Sequence, residues 1–161
     1  MPVVAPLSRE YRGYAIGYLL VGIAGWAASP DRGTALRSFL IMGMIMMCVL
    51  GAVNLRWLQA SVRHAPPTPP GASVEEPRRT LLRIAVELLF VAVLVGLSAL
   101  AHSRLAPLMA GIAFGTGVVN LAGWWWLMHA DRAGGAVSMR QAPDGLVGVG
   151  RRAVTRRAPA G

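Results

Sequence analysis

The sequence contains no lysine, a single cysteine and few charged residues of either sign. Only 14% of its 161 residues are charged, whereas soluble domains carry about a quarter. One cysteine cannot form a disulfide within the chain, and Cys48 lies in a long apolar stretch, where we expect an inert apolar side chain. The scarcity of charge argues against a soluble domain.

Acidic residues are scarcer than basic ones, so the chain has a formal net charge of +9. A nucleic-acid partner is one explanation of a basic chain, but these arginines flank apolar stretches and do not alternate with aromatic residues. The composition is 55% hydrophobic, with a mean hydropathy of +0.51. We therefore expect an integral membrane protein with no nucleic-acid partner.

Motifs for catalysis and for cofactor or metal binding are also missing. The sequence has no GxSxG, HExxH or P-loop motif and no paired acid and base. The three histidines, His64, His102 and His129, are scattered without the spacing of metal ligands. We expect no enzyme activity, no cofactor, no metal site and no small-molecule substrate.

Four long apolar stretches dominate the chain, at residues 14–28, 39–58, 81–101 and 108–128. About 20 apolar residues in a helix cross the roughly 30 Å hydrocarbon layer of a membrane. The helix satisfies its own backbone groups, which lipid cannot do. The first stretch is the weakest, because it is short and rich in glycine. The fold predicted is an all-α membrane protein with four transmembrane helices arranged as two antiparallel hairpins.

The rest of the chain divides around these hairpins. We expect a cytoplasmic lead at 1–12, hairpin 1 at 13–58, a proline-rich cytoplasmic linker at 59–80, hairpin 2 at 81–128 and a basic, disordered tail at 129–161. Thirteen of the 16 arginines lie in the lead, the linker with its edges and the tail. Short basic segments stay in the cytoplasm. We therefore place both termini in the cytoplasm of a bacterium and the helices in its inner membrane.

A short phrase occurs in the second helix of each hairpin, as GAVNL at 51–55 and GVVNL at 117–121. Both hairpins enter the membrane from the same side, so any duplication is a parallel repeat. Chance matching of apolar residues is the alternative explanation.

Polar residues within the apolar stretches predict a polar layer of Asn54, Glu87 and Asn120 near the cytoplasmic edge. Glu87 lies four residues after Arg83, a spacing at which the two side chains can pair on a helix. An ionisable group in the membrane normally faces protein or water. The layer is interpreted first as an interhelical hydrogen-bond clamp, and alternatively as a contact for a partner or a cation.

Small and aromatic residues supply the expected contacts with other helices and with the membrane surface. Glycines permit close helix packing, and Gly111 and Gly115 form a GxxxG motif. Tryptophans favour the boundary between lipid and water. The helix-packing or partner-binding candidates are Gly43, Gly51, Gly111, Gly115 and Gly117, and the interfacial anchors are Trp57, Trp124, Trp125 and Trp126.

The segment GMIMMCVLGAVNLRWLQASVR at 43–63 resembles the second helix of the small ATP synthase protein I family, in which glycines precede an asparagine and then basic residues. Residues 83–120 resemble that family's second hairpin, and the likeness covers about 36–128. The matched positions are Gly43, Gly51 and Asn54. The resemblance implies an accessory protein that helps assemble the ring of proton-carrying subunits of the rotary ATP synthase. A role in divalent cation supply has also been suggested for the family.

Three functions follow from these patterns. The first is a non-enzymatic membrane accessory or assembly factor that binds other membrane helices through glycine-rich faces. The second is a small oligomeric ion channel or transporter with Glu87 as its ion contact. The third is a structural subunit of a larger membrane complex, docked through Trp124–Trp126 and the basic tail. The expected partners are the membrane and other transmembrane subunits, or further copies of the chain.

Overall fold

The computed structural model describes residues 2–29, 32–101, 104–142 and 153–158. Of the described residues, 74% are helical, which confirms the mostly helical fold class. Four long helical segments carry the structure. They are α1 at Leu7–Ala27, α2 at Arg32–Leu50 with its continuation through a π-helical turn at Gly51–Leu55 into α3 at Arg56–Arg63, α4 at Pro77–Leu100 and α5 at Ala106–Gly134.

Three helical segments are long and apolar enough to cross a membrane, at Ala35–Arg63, Pro77–Leu100 and Ala106–Gly134. The first helix, α1, falls short because its tyrosines, its glycines and Arg12 reduce its hydropathy. Only 11% of the most apolar window of Ala35–Arg63 is buried within the protein. The four-span count therefore remains a prediction, whereas the apolar character of three helices is a property of the structure.

The packing differs from two hairpins placed side by side, because α5 lies between α1 and α2. Helices α1 and α5 run antiparallel, so that Gly22 lies against Phe114 and Gly123 against Tyr11. Helix α2 runs parallel to α5 and contacts it through Gly43. Helix α1 of the first hairpin therefore packs mainly on α5 of the second hairpin, and it has little contact with α2.

Helix α4 packs on α1, in parallel, with Gly13 against Ile84 and Gly17 against Leu88. Helices α2 and α4 have almost no contact with each other, so they are the two outer helices of the bundle. A two-fold axis relating the hairpins would convert the extensive α1–α5 interface into an equal α4–α2 interface. The packing therefore does not follow the symmetry expected for a parallel repeat.

A four-stranded sheet covers the end of the bundle where α1 and α4 begin. Its strands are β1 at Val3–Pro6, β2 at Ser73–Val74, β3 at Val137–Gln141 and β4 at Val154–Arg157, in the order β2-β1-β3-β4. Strand β1 pairs parallel with β2 and antiparallel with β3, and β3 pairs antiparallel with β4. The sheet joins the lead, the linker and the tail, which sequence reasoning treated as separate segments without regular structure.

The tail predicted to be disordered is ordered in its described part. Helix α5 continues to Gly134, and Gly135 ends it with a φ of 54°, which glycine adopts at little cost. Strands β3 and β4 follow and pair with each other. The expectation of disorder is therefore wrong for these residues, since backbone pairing replaces the missing apolar periodicity. Residues 143–152 and 159–161 of the predicted tail, like His102, lie outside the described residues.

The proline-rich linker contributes to both edges of the sheet, because it contains β2 and hydrogen-bonds to β4. Its first part remains helical, since α3 continues to Arg63. The backbone amide of Thr68 donates to the carbonyl of Arg156 in β4, and a turn closed by the Ala72 amide and the Pro69 carbonyl leads into β2. Gly71 has a φ of 81° in this turn. Extended structure was expected here, but its pairing with the lead and the tail was not.

Candidate functional site

The most connected polar site lies where α1 and α4 meet the sheet. The guanidinium of Arg83 donates to the carboxylates of Glu10 and Glu75, the latter at 3.1 Å. Arg140 in β3 donates to the second oxygen of Glu10 at 3.3 Å. The Thr80 hydroxyl donates to Glu75 at 2.7 Å. We name Glu10, Glu75, Thr80, Arg83 and Arg140 the buried charge network.

Burial makes this network a structural constraint. Arg83 and Glu10 are each 2% exposed, and Glu75 is 4% exposed. Two cations face two carboxylates, so the charges balance, whereas an unpaired buried charge would be costly. The network joins α1, α4, the segment after β2 and strand β3. It therefore fixes the lead, the linker and the tail to the helices.

The predicted pair of Arg83 with Glu87 does not form, because Arg83 turns toward Glu10 and Glu75. Glu87 instead accepts a hydrogen bond from the Tyr14 hydroxyl at 2.5 Å. The rings of Tyr14 and Tyr18 lie 6.2 Å apart between centroids, one helical turn apart on α1. Glu87 is half-buried and has no cationic partner among the described residues.

The predicted layer of three polar residues assembles only in part. Asn120 is buried, but its amide donates to the Thr116 carbonyl of its own helix at 2.9 Å and makes no bond to another helix in the described residues. Asn54 lies in the π-helical turn, half-buried, with no side-chain hydrogen bond to any residue that the structure describes. The interhelical clamp expected of these amides is therefore absent, and Glu87 is held by Tyr14.

The candidate packing glycines fall into two groups. A side chain on Gly111 or Gly115 would collide with the backbone of α2, and one on Gly117 would collide with α1, so these glycines allow the close approach of both helices to α5. Gly43 lies against Gly111 across the same interface. Gly51 has no described neighbour within 4 Å of the position of a β-carbon, so a side chain at this position would meet open space.

The four tryptophans expected at the membrane boundary also have different environments. Trp57, Trp124 and Trp126 pack against an apolar cluster beneath the sheet, formed by Leu7, Tyr11, Leu58, Val62, Leu127 and Val154. Trp125 is 61% exposed, and its ring lies 4.2 Å from that of His129 between centroids. Trp125 is therefore the residue of this set that is free to contact lipid or a partner.

The outer helix α2 presents an unpaired apolar surface that includes the π-helical turn. Its exposed large side chains are Leu36, Leu40, Ile41, Met44, Ile45, Val49 and Val53. Cys48 is exposed on the same helix. Single π-helical turns within α-helices occur frequently at functional sites. This helix therefore joins an open glycine and a half-buried asparagine to a surface that no other part of the described chain covers.

The buried charge network was missed by sequence reasoning because its members are distant in the chain. Glu10 and Arg83 are 73 residues apart, and Glu10 and Arg140 are 130 apart. The available signal was the occurrence of carboxylates in two segments otherwise rich in arginine.

No family model, no curated protein and no solved structure matches the chain. The resemblance to the ATP synthase protein I family therefore stays a prediction.

Proposed function

We propose that the protein is a non-enzymatic membrane accessory or assembly factor that binds other membrane helices. The observation that carries the proposal is the surface of α2, which leaves seven large apolar side chains exposed and has the lowest buried share, 11%, of the three long apolar helices in the described residues. Lipid covers apolar side chains. A second helix can in addition pack closely against Gly51 and form a hydrogen bond with the amide of Asn54, which lipid tails cannot do.

Close helix packing supports this proposal. Within the bundle, Gly111 and Gly115 allow the backbones of α2 and α5 to approach each other. Gly51 lies in the π-helical continuation of α2, and a β-carbon there would have no neighbour within 4 Å among the described residues. A partner helix can approach α2 there as closely as α5 does on the other side. The rotary ATP synthase is the candidate complex, on the strength of the resemblance at Gly43, Gly51 and Asn54 alone.

The sheet supports the proposal in a second way. Lead, linker and tail are fixed by the buried charge network, so the ends of α1, α4 and α5 are held together without a partner. The chain thus has a rigid part and an outer helix with an uncovered face. This division suits a protein that presents a helix to other subunits.

Photo-crosslinking tests the proposal. A photoreactive phenylalanine analogue replaces Val49 or Val53 on the exposed side of α2, or Ala110, which is fully buried. The proposal predicts crosslinks to one defined membrane protein from the first two positions after mild extraction, and none from Ala110. Crosslinks to lipid alone from both α2 positions would refute it.

The alternative of an ion channel with Glu87 as its contact has less support. The buried charge network lies between Glu87 and the sheet end, and its Arg83 and Glu10 side chains are each only 2% exposed. The alternative of a subunit docked through its tryptophans is also weakened, since three of the four are partly buried against the apolar cluster beneath the sheet.

A further inference from the structure

Glu87, Tyr14 and Asn120 lie at one depth in the bundle. In the antiparallel pair α1–α5, Gly123 lies against Tyr11, so Asn120, three residues earlier, lies level with Tyr14. Tyr14 donates to Glu87 and thereby places α4 at the same level. We name Tyr14, Glu87 and Asn120 the acceptor layer, because a carboxylate, a phenol oxygen and an amide oxygen lie at this depth.

Tyr14 of the acceptor layer lies on the side of α1 that α4 and α5 flank. On α1, Gly13 and Gly17 contact α4, and Ala15 and Leu19 contact α5. At 3.6 residues per turn, Tyr14 lies between these two faces. The opposite side of α1 carries the exposed side chains Ile16, Leu20 and Ile23.

Charge in this layer is not balanced by an arginine of the described residues. The nearest arginine on α4, Arg83, is engaged by Glu10 and Glu75, and Arg140 is engaged by Glu10. Glu87 retains one carboxylate oxygen without a hydrogen-bond partner among the described residues. A carboxylate at membrane depth with a single neutral donor is costly unless a cation joins it.

Access to the acceptor layer is from the side. Toward the sheet the buried charge network closes it, with Arg83 and Glu10 each 2% exposed. Toward the other end, Val95 and Ala110 are buried together with Phe39. Phe90, three residues after Glu87 and so on the same face of α4, is 67% exposed. A ligand therefore arrives through the surrounding hydrocarbon and not along the bundle from water.

We propose that the acceptor layer binds the side-chain cation, arginine or lysine, of a partner's membrane helix that packs along α4. A cation carried on a helix reaches this depth laterally, whereas a free metal ion would have to leave water and cross hydrocarbon. This proposal deepens the proposed function and rests on it, since it gives the chemistry of one helix that the protein binds. The proposal adds a second contact surface on α4, which is the other outer helix of the bundle besides α2.

Binding of a synthetic transmembrane peptide to the full-length protein tests the proposal. The peptide consists of leucine and alanine over about 20 residues, with one arginine a turn inside one end, and carries a fluorescent donor. The acceptor dye is attached to Cys48, the one cysteine of the chain, which is exposed on α2. Both partners are reconstituted in vesicles of neutral phosphatidylcholine, so that no anionic lipid attracts the arginine.

The expected result is a dissociation constant about three- to tenfold lower for the arginine peptide than for a peptide with glutamine at that position. Glu87→Gln should remove this preference. Glu76→Gln is the matched control, because Glu76 is an exposed carboxylate outside the layer, and it should preserve the preference. Equal cysteine labelling and an unchanged elution volume establish that each variant is folded.

A preference for arginine that persists in Glu87→Gln, or equal binding of both peptides by the unsubstituted protein, would overturn the proposal. Binding of free Na⁺ or K⁺ that depends on Glu87, together with equal binding of the peptides, would assign the layer to an ion and also overturn it. If the layer shows no preference while α2 still crosslinks to a partner, this proposal fails and the proposed function stands. If crosslinking at α2 fails, the proposed function fails regardless of the peptide result.

Discussion

Arg83 should be the most sensitive arginine of the chain to substitution. Its guanidinium neutralises Glu10 and Glu75, and all three side chains are almost fully buried. In Arg83→Met the apolar stem remains, but two carboxylates lose their shared cation. Removing one member of a buried ion pair typically costs about 3–5 kcal/mol, because the remaining charge stays buried.

The loss should be local in origin and large in effect. For a protein of 150–250 residues, about 1 kcal/mol shifts the midpoint of thermal unfolding by roughly 2–4 °C, so Arg83→Met should lower the midpoint by about 6–20 °C. Arg79→Met is the matched control, since Arg79 is an exposed arginine on the same helix, one turn earlier. Substitution at such a surface position should change stability by no more than about 0.5 kcal/mol.

The first assay is thermal unfolding of the purified protein in a mild detergent. The second is hydrogen exchange of the backbone amides in the folded protein. In Arg83→Met, exchange should accelerate first in β1 and β2, because Glu75, which follows β2, loses its contact with Arg83 on α4, whereas Arg140 in β3 still contacts Glu10. A midpoint for Arg83→Met equal to that of Arg79→Met, with unchanged exchange in the sheet, would refute the reasoning.

Three further predictions concern packing, exposure and flux. Gly115→Leu should strongly reduce the yield of folded protein, because its side chain would meet the backbone of Gly43. Gly51→Leu should leave folding unchanged and reduce only the crosslinking at α2. Equal yields of the two variants in size-exclusion chromatography would contradict this prediction. Trp125→Ala should leave the unfolding midpoint within a few degrees of that of the unsubstituted protein, while Trp126→Ala should lower it clearly. The reason is that Trp126 packs on the cluster beneath the sheet, whereas Trp125 is exposed. Purified protein in liposomes should conduct no ions, measured with an ion-sensitive dye, and a flux that Glu87→Gln abolishes would restore the channel alternative.

Sequence reasoning predicted the features that depend on local composition. Long apolar stretches determine where helices form, so the predicted stretch 81–101 corresponds closely to the end of α4 at Leu100. The π-helical turn coincides with the phrase at 51–55, which was singled out as a repeat, although the phrase does not reveal the change of backbone geometry. The equivalent phrase in α5 is regular α-helix, so the five residues do not by themselves specify the turn.

The remaining features depend on contacts between distant segments. The order in which helices pack is fixed by matching surfaces, such as Gly117 against Leu19, which periodicity within one helix does not reveal. In the sheet, β1 pairs with β2 and β3, which follow it by more than 60 residues. Among the four strands, β3 (VSMRQ) alternates apolar and polar residues over its first four positions, and the other strands show no such pattern. For the same reason Arg83 was paired with its neighbour in sequence, Glu87, and not with Glu10.

The proposed function requires helices that cross the membrane, with the sheet on the cytoplasmic side. In a Cys48→Ala background, single cysteines replace Glu76, which is exposed near the sheet, or Arg104, which is exposed at the opposite end. Intact cells are treated with a membrane-impermeant maleimide. The cysteine at position 104 should react, and the one at position 76 should react only after the cells are permeabilised. Reaction of position 76 in intact cells, or recovery of the protein from the aqueous fraction without detergent, would contradict the account.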